Sequence, residues 1–219
     1  MFVGHYGASF AAKKVDSTIP LWVLFLAVQW LDVIWAPLVL LGVEKVRIVP
    51  GYTATNPLDL YYMPYTHSLV AAVLWSVAAA IVYRLVKPRS PKSSVIVGLA
   101  VFSHWVLDFI VHVPDLPLYD NTAKVGLGLW NLPVIAYAVE ALLLFGGIAL
   151  YASITRSRWL GITVFGVAML AIHTYMFFGP PPTSASAAAA SALVVYGLFA
   201  FVIWLLADRA PAPSTRVSH

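Results

Sequence analysis

The chain has 219 residues, of which 61% are hydrophobic and 10% are charged, against about 45–50% and about 25% in soluble domains. This composition excludes an ordinary soluble protein and indicates an integral membrane protein. Cysteine is absent and the 13 Lys and Arg residues are scattered at segment ends, so disulfides and thiolate metal sites are excluded and no nucleic-acid partner is expected.

Six apolar stretches are long enough to cross a bilayer as helices, because about 20 residues span roughly 30 Å of hydrocarbon. They lie near 18–42, 65–87, 94–114, 129–153, 158–179 and 187–208. Pro, Gly or charged residues separate them. The predicted fold is all-α: a polytopic membrane helix bundle with six transmembrane helices over 17–208, a short N-terminal helix over 1–16, and a disordered tail over 209–219.

The N-terminal segment, residues 1–16, leaves two alternatives open. A helix of this length reaches only about halfway across a bilayer at 1.5 Å per residue. The pattern favours an amphipathic helix lying in the interface. A half-inserted helix would instead carry His5 inward from Lys13, to a depth of about 12 Å.

The orientation follows from the positive charges. With a cytoplasmic amino terminus, all but three of the 13 Lys and Arg residues fall on the cytoplasmic side, the exceptions being Lys45, Arg47 and Lys124. The positive-inside rule therefore predicts that both termini are cytoplasmic.

Several ionisable residues fall inside the predicted spans, where they are costly and normally face a cavity or the protein interior. Asp32 lies in the first span and His67 opens the second. His104, Asp108 and His112 follow one another at four-residue spacing in the third span, which places them on one stripe of a helix.

Two more ionisable residues lie in later spans, Glu140 near the middle of the fourth and His173 in the fifth. Counted at 1.5 Å per residue, all these residues occupy overlapping layers of the bilayer. We therefore expect one polar site in the outer half of the membrane, which His5 of an inserted N-terminal helix would also reach.

This set of side chains suits a divalent metal ion. Imidazoles and carboxylates without thiolates bind Zn²⁺, Mn²⁺ or Fe²⁺, and a His and an Asp at i and i+4 can reach one ion. The predicted metal site contains His104, Asp108, His67 and Asp32. Hydrogen bonding between helices is the alternative, and it is favoured for His112 and His173 taken singly.

The remaining polar residues are assigned less specifically. Glu140 would act as a base, a proton relay or a ligand, and it joins His112 and His173 as the candidate catalytic residues. Asp115 and Asp120, in a Pro-rich loop, are expected to be solvated.

Two motifs resemble those of a known family. Thr66-His67-Ser68 and Ser103-His104-Trp105-Val106-Leu107-Asp108 are similar to the T-H-S and S-H-x-x-L-D motifs of the membrane-bound metal-dependent hydrolases, the LexA-binding, inner membrane-associated family. That family also has an N-terminal His and an acidic motif, matched here by His5 and Asp32. The resemblance covers roughly residues 1–120.

The resemblance implies the metal ligands His5, Asp32, His67, His104 and Asp108, in an order that is distantly similar to that of zinc-dependent phospholipase C and P1-type nucleases. A second H-x-x-x-D pair and an N-terminal Trp are not present in the sequence, so one or two ions, zinc first, are expected rather than three. It also implies the inner membrane of a prokaryote.

The predicted function is therefore a membrane hydrolase that uses metal-activated water on a phosphoester or another ester of a lipid-like, amphiphilic molecule, with membrane lipids as its surroundings. One alternative is a proton-coupled transporter with Asp32, Glu140, His104 and His173 as a relay. A third hypothesis is haem ligation by facing histidines, such as His67 and His104.

Overall fold

A computed structural model of the chain describes residues 1–88, 90–155 and 158–209. These residues form eight α-helices, one two-stranded sheet, a 3-10 helix at Leu129–Asn131 and a π-helical turn at Trp204–Asp208. The helices are α1 (Gly4–Val15), α2 (Leu21–Val28), α3 (Trp30–Leu40), α4 (Leu69–Val86), α5 (Pro91–Val111), α6 (Pro133–Ala152), α7 (Trp159–Phe178) and α8 (Ala185–Ile203), and the strands are β1 (Lys45–Ile48) and β2 (Leu58–Tyr62). Apart from Arg209, the predicted tail lies outside the described residues.

Five of these helices, α4 to α8, are long and apolar enough to cross a membrane, and α2 and α3 pass the same test only together. This agrees with a helical membrane bundle of five or six candidate spans. The prediction of one uninterrupted helix over 18–42 was wrong, because α2 and α3 meet at 53°. The break falls at Gln29, whose side-chain amide donates to the Phe2 carbonyl at 3.1 Å.

A small hairpin departs from the all-α prediction. Strands β1 and β2 pair antiparallel, with Arg47 opposite Asp59 and an irregularity between Lys45 and Arg47. The guanidinium of Arg47 forms an ion pair with Asp59 at 2.5 Å and lies over the Tyr61 ring. The strands have only four and five residues. An alternation of apolar and polar residues over such short segments cannot be distinguished from the polar loop that surrounds them.

The starts of the helices follow familiar local rules. Ser68 accepts a hydrogen bond from the first turn of α4, and Ser184 does the same for α8, as N-cap serines do. Pro91 and Pro133 begin α5 and α6, where a missing N–H costs nothing. The Ser68 cap leaves His67 immediately outside α4, so its side chain is held by the chain before the helix.

Helix α1 lies inside the bundle, packed against α6, α2 and α5. Its buried residues are Gly4, His5, Tyr6, Gly7, Ser9 and Phe10. These residues are therefore enclosed by other helices, and the depth of residues 1–16 in a membrane stays a prediction. Lys13, near its C-terminal end, donates to the carbonyls of Ser17 and Ile19 at 2.7 Å each.

The contact between α1 and α6 depends on glycine. A Cβ atom added at Gly7 would lie 2.2 Å from the carbonyl oxygen of Leu143, and one added at Gly147 would lie 2.6 Å from the carbonyl oxygen of Gly7. Both distances are too short for any side chain. Close approach of this kind is how membrane helices pack without a hydrophobic driving force between them.

We expect Gly147→Ala to lower the stability of the bundle, because overpacking of a close contact costs about 1–3 kcal/mol. Thermal unfolding in detergent measures the effect. Gly146→Ala is the matched control, since a Cβ at Gly146 meets nothing within 4 Å. Equal melting temperatures for the two variants would show that the backbone contact is unimportant.

Candidate functional site

Three helices and one helix start bring polar side chains together inside the bundle. His5 comes from α1, Asp32 from α3, His67 from the residue before the α4 cap, and His104 and Asp108 from α5. Two overlapping groups, His5 with His104 and Asp108, and Asp32 with His67 and His104, have ligand atoms within 4.8 Å of one another. All five residues that the sequence predicts as metal ligands therefore meet at one place.

The carboxylate of Asp108 lies at the centre of this cluster. Its Oδ1 is 3.2 Å from His5 Nε2, and its Oδ2 is 3.1 Å from His104 Nε2 and 3.8 Å from His67 Nε2. Asp32 Oδ1 approaches the same ring nitrogens, at 3.2 Å from His67 and 3.7 Å from His104. Imidazole nitrogens and carboxylate oxygens thus alternate around a small buried volume.

His104 presents one specific nitrogen to the cluster. Its Nδ1 lies 2.7 Å from the carbonyl oxygen of Val28. A carbonyl only accepts hydrogen bonds, so Nδ1 carries the proton and the Nε2 of a neutral ring has a free lone pair. That Nε2 is buried and has no hydrogen-bond partner.

His67 is held in a similar way through a hydroxyl group. Its Nδ1 lies 2.7 Å from Thr66 Oγ1, and Thr66 Oγ1 donates to Glu44 Oε2 at 2.6 Å. On the other side, Trp105 Nε1 donates to the His67 carbonyl at 2.9 Å. The ring is therefore fixed from both its side chain and its backbone.

His112 directly follows α5 and lies beside the cluster. Its Nε2 is 3.8 Å from Asp108 Oδ2, and its Nδ1 is 2.8 Å from Asp115 Oδ1. The expectation that Asp115 is solvated was wrong: it is 4% exposed. The turn after α5 brings the Asp115 carboxylate back onto the His112 imidazole.

His5 differs from the other histidines. Neither of its ring nitrogens has a hydrogen-bond partner, and its ring stacks on that of His104 with centroids 4.0 Å apart and an interplanar angle of 4°. The α-amino group of Met1 also reaches the cluster, at 2.6 Å from Asp108 Oδ1.

Glu140 has a different environment from the one that the sequence suggests. Its Oε2 accepts hydrogen bonds from the backbone N–H groups of Phe2 and Gly4, at 2.9 and 3.1 Å. A carboxylate in this position satisfies free donors at the start of α1 and interacts favourably with the helix dipole. These contacts give Glu140 a structural role at the N-terminal end of α1.

His173 lies in an aromatic environment outside the two ligand groups. Its ring stacks on Tyr137, with centroids 5.5 Å apart, and also contacts Phe2 and Phe177. Its Nε2 is buried without a hydrogen-bond partner. The predicted catalytic roles of His173 and Glu140 stay predictions, and neither residue belongs to the two ligand groups.

Sequence reasoning missed two polar partners of the site. Tyr196 on α8 donates to Asp32 Oδ2 at 2.6 Å. Its position in the middle of an apolar span could have indicated a polar contact there, because tyrosines in spans are enriched near the ends. Glu44 contacts the site through the hydroxyl group of Thr66. In the sequence it lies next to Lys45, and neighbouring charges of this kind are typical of a loop. Burial raises the pKa of the Glu44 carboxyl, and the His67 imidazole and the hydrogen bonds from Thr66 and Tyr65 oppose that rise.

Access to the cluster differs among its members. The side chains of His5 and His104 are fully buried, whereas that of Asp32 is 16% exposed. Asp32 therefore marks the side on which a substrate or solvent would reach the site.

The haem hypothesis is not supported by the geometry of His67 and His104. Their rings have centroids 5.4 Å apart, and their nitrogens are turned toward the same carboxylates. This arrangement leaves no space between the rings for a porphyrin.

No protein-family model, curated protein or solved structure matches the chain. The similarity to the membrane-bound metal-dependent hydrolases is carried by the motifs of residues 1–120 alone. It remains a prediction.

We expect Glu140→Gln to lower thermal stability modestly, because it keeps an acceptor for the N–H groups of Phe2 and Gly4 but removes the charge at the helix start, an effect of about 0.3–1 kcal/mol. Glu140→Leu should cost more, since it removes both acceptor atoms. Thermal unfolding and metal analysis of both proteins test this. A Glu140→Gln protein with unchanged stability but without metal would instead assign Glu140 to the site.

Proposed function

We propose that the protein is an integral membrane hydrolase in which His5, Asp32, His67, His104 and Asp108 hold one or two divalent ions. One observation carries this proposal. Imidazoles whose Nδ1 atoms face other partners turn their Nε2 atoms toward carboxylate oxygens. Such an arrangement is typical of metal-binding histidines, which donate their second N–H to a carbonyl, carboxylate or water.

The electrostatics of the neutral rings support a cation. When the His104 ring is neutral, its Nε2 lone pair and the Asp108 carboxylate are both electron-rich, and they lie 3.1 Å apart. Buried charges are normally paired or bound to a metal, because an uncompensated charge away from water is very costly. A cation held by the nitrogen and the carboxylates would remove that repulsion.

The spacing of the ligand atoms fits a zinc-sized site. Zinc bonds of about 2.0–2.2 Å in a tetrahedral arrangement place ligand atoms about 3.4 Å apart. The separations of 3.1 to 3.8 Å among Asp108 Oδ2, Asp32 Oδ1, His67 Nε2 and His104 Nε2 bracket that value. Contacts of 3.7 and 3.8 Å are too long for hydrogen bonds, so shared ligation explains their convergence better.

The number of ions is limited by the histidines. His104 has one free nitrogen, since Val28 holds the other, and it can therefore bind one ion. Asp108 has two oxygens that face different partners, with Oδ1 toward His5 and Oδ2 toward His104 and His67. A bridging role for Asp108 would accommodate a second ion on the His5 side.

The chemistry proposed for the site is hydrolysis. A bound divalent ion lowers the pKa of a coordinated water to about 7 and so supplies hydroxide at neutral pH. His112, oriented by Asp115, lies beside Asp108 and is placed to take up a proton from the attacking water. Tyr196 holds Asp32 at the accessible edge of the site.

The proposed substrate is a phosphoester or another ester on a lipid-like molecule. The accessible edge of the cluster is formed by Asp32, which lies in a bundle of apolar candidate spans. An amphiphilic molecule would reach it from the lipid phase. The resemblance further supports a prokaryotic inner membrane, and the distribution of Lys and Arg supports cytoplasmic termini.

The transporter alternative has less support. A relay through the bundle would use Glu140, but Glu140 Oε2 is engaged by two backbone N–H groups of the α1 start. No comparable contact favours the relay over the metal cluster, so hydrolysis is the single function that we propose.

Purified protein is expected to contain about one or two zinc ions per chain, as a site of this donor set would bind. His104→Ala and Asp108→Asn should lose that metal, because each removes a central ligand. Elemental analysis by mass spectrometry measures the content. His173→Phe, which alters a buried histidine outside the ligand groups, is the matched control and should retain the metal.

A metal-free wild type that is folded and cannot be reloaded with zinc would overturn the proposal. Protonated imidazoles would then neutralise Asp32 and Asp108.

The loaded protein should hydrolyse a fluorogenic phosphodiester in detergent micelles, and chelation should abolish the activity. His112→Gln should lower kcat by about 100-fold or more while metal is retained, since a positioned proton acceptor contributes about 10²–10⁴-fold. Equal kcat values for His112→Gln and wild type would remove His112 from the reaction. Metal binding without cleavage of phosphoesters or carboxylic esters would contradict a hydrolase.

A further inference from the structure

Two hydrogen bonds link Glu44 to Thr66 and Thr66 to His67. Their donor and acceptor roles determine which nitrogen of His67 is free to bind a metal. We propose that Glu44 and Thr66 are positioning residues: the Glu44 carboxylate orients the Thr66 hydroxyl, which holds His67 as the Nδ1–H tautomer with Nε2 free for the ion. This inference rests on the proposed function only where it concerns the metal. The tautomer itself is a property of the metal-free chain.

Glu44 is well placed to act as the fixed end of this chain. It is 1% exposed although it lies in the segment between α3 and β1. Its Oε1 accepts from the backbone N–H groups of Tyr65 and Thr66, at 2.8 and 3.0 Å, and its Oε2 accepts from Thr66 Oγ1 at 2.6 Å. Three donors on one carboxylate favour its ionised form.

The direction follows from counting protons. An ionised carboxylate only accepts hydrogen bonds, and a hydroxyl group has a single hydrogen to donate. Thr66 gives that hydrogen to Glu44, so toward His67 it can only accept. His67 Nδ1, 2.7 Å from Thr66 Oγ1, must therefore carry the proton, and in the neutral ring Nε2 has a lone pair.

That lone pair points into the cluster. His67 Nε2 lies 3.2 Å from Asp32 Oδ1 and 3.8 Å from Asp108 Oδ2. The opposite tautomer would place an N–H on Nε2, where it would donate to Asp32 and could not bind a metal. Glu44 and Thr66 thus select the tautomer that serves as a ligand.

An amide at position 44 should reverse the donor and acceptor roles in the two hydrogen bonds that link residue 44, Thr66 and His67. The oxygen of the new side chain can still accept from the N–H groups of Tyr65 and Thr66, while its NH₂ group takes the place of Oε2 and donates to Thr66. The Thr66 hydrogen is then free to point at His67 Nδ1. Glu44→Gln should therefore shift His67 to the Nε2–H tautomer without breaking the backbone contacts.

The first test uses ¹⁵N-histidine NMR on metal-free protein in detergent micelles, at a pH high enough that the His67 ring is neutral, with His67 assigned by its loss in His67→Gln. Wild type and Thr66→Ser should show the Nδ1–H tautomer, and Glu44→Gln should shift toward Nε2–H. Thr66→Val removes the hydroxyl at nearly constant shape and should leave the tautomer mixed. The same tautomer in wild type and Glu44→Gln would overturn the positioning role.

The second test is zinc affinity by competition with a chromogenic chelator. Loss of an outer hydrogen-bond partner of a metal ligand typically costs 10–100-fold in affinity, and we expect that loss for Glu44→Gln and Thr66→Val, with Thr66→Ser close to wild type. A purely structural role would lower melting temperature in step with affinity in all variants, including Thr66→Ser. Equal zinc affinities in all four proteins would overturn the inference.

The two tests separate this inference from the proposed function. A wild type that has the Nδ1–H tautomer but binds no zinc would contradict the metal site and leave the orientation of His67 intact. A wild type that binds zinc with His67 in the Nε2–H form would contradict the positioning pair alone. If Glu44→Gln fails to fold, the comparison of Thr66→Ser with Thr66→Val decides the outcome.

Discussion

The buried carboxylate of Asp108 is the constraint around which the rest of the site is organised. It lies in a bundle with very little charge, and burial of an ion away from water is costly unless partners compensate it. Imidazoles from α1, from the start of α4 and from α5 supply those partners. His104 and His67 are held in turn by acceptors outside the cluster, the Val28 carbonyl and the Thr66 hydroxyl, so fixed hydrogen bonds surround part of the polar centre.

Packing and chemistry depend on each other at the N-terminal helix. α1 reaches the interior because Gly7 and Gly147 let its backbone approach α6, and because Glu140 accepts from the N–H groups at its start. Both devices remove a cost of burying backbone among apolar helices. Their joint effect is to bring His5 against His104, which gives the short helix a role in the site as well as in the fold.

Much of the cluster could be predicted because its chemistry stands out against an apolar background. His104 and Asp108 share a helix stripe at i and i+4, and a charged residue in a membrane span is rare enough to mark a site. Asp115, Glu44 and Tyr196 could not be placed in the same way. Their contacts cross long sequence separations or depend on a turn, and no periodic pattern encodes them. The same holds for the hairpin of β1 and β2, whose strands are too short to show a period.

The sequence by itself determined the helical membrane fold and the types of side chain available as metal ligands. Long apolar stretches require helices in lipid, since every backbone group must be satisfied within its own segment. The absence of cysteine restricts the ligands to imidazoles and carboxylates. Only the tertiary structure decided that α1 is buried among other helices, that α2 and α3 meet in a bend at Gln29, and which nitrogens of His67 and His104 face the cluster. Those outcomes depend on steric fit between glycine backbones and on hydrogen bonds between distant segments, which exist only after the helices have packed.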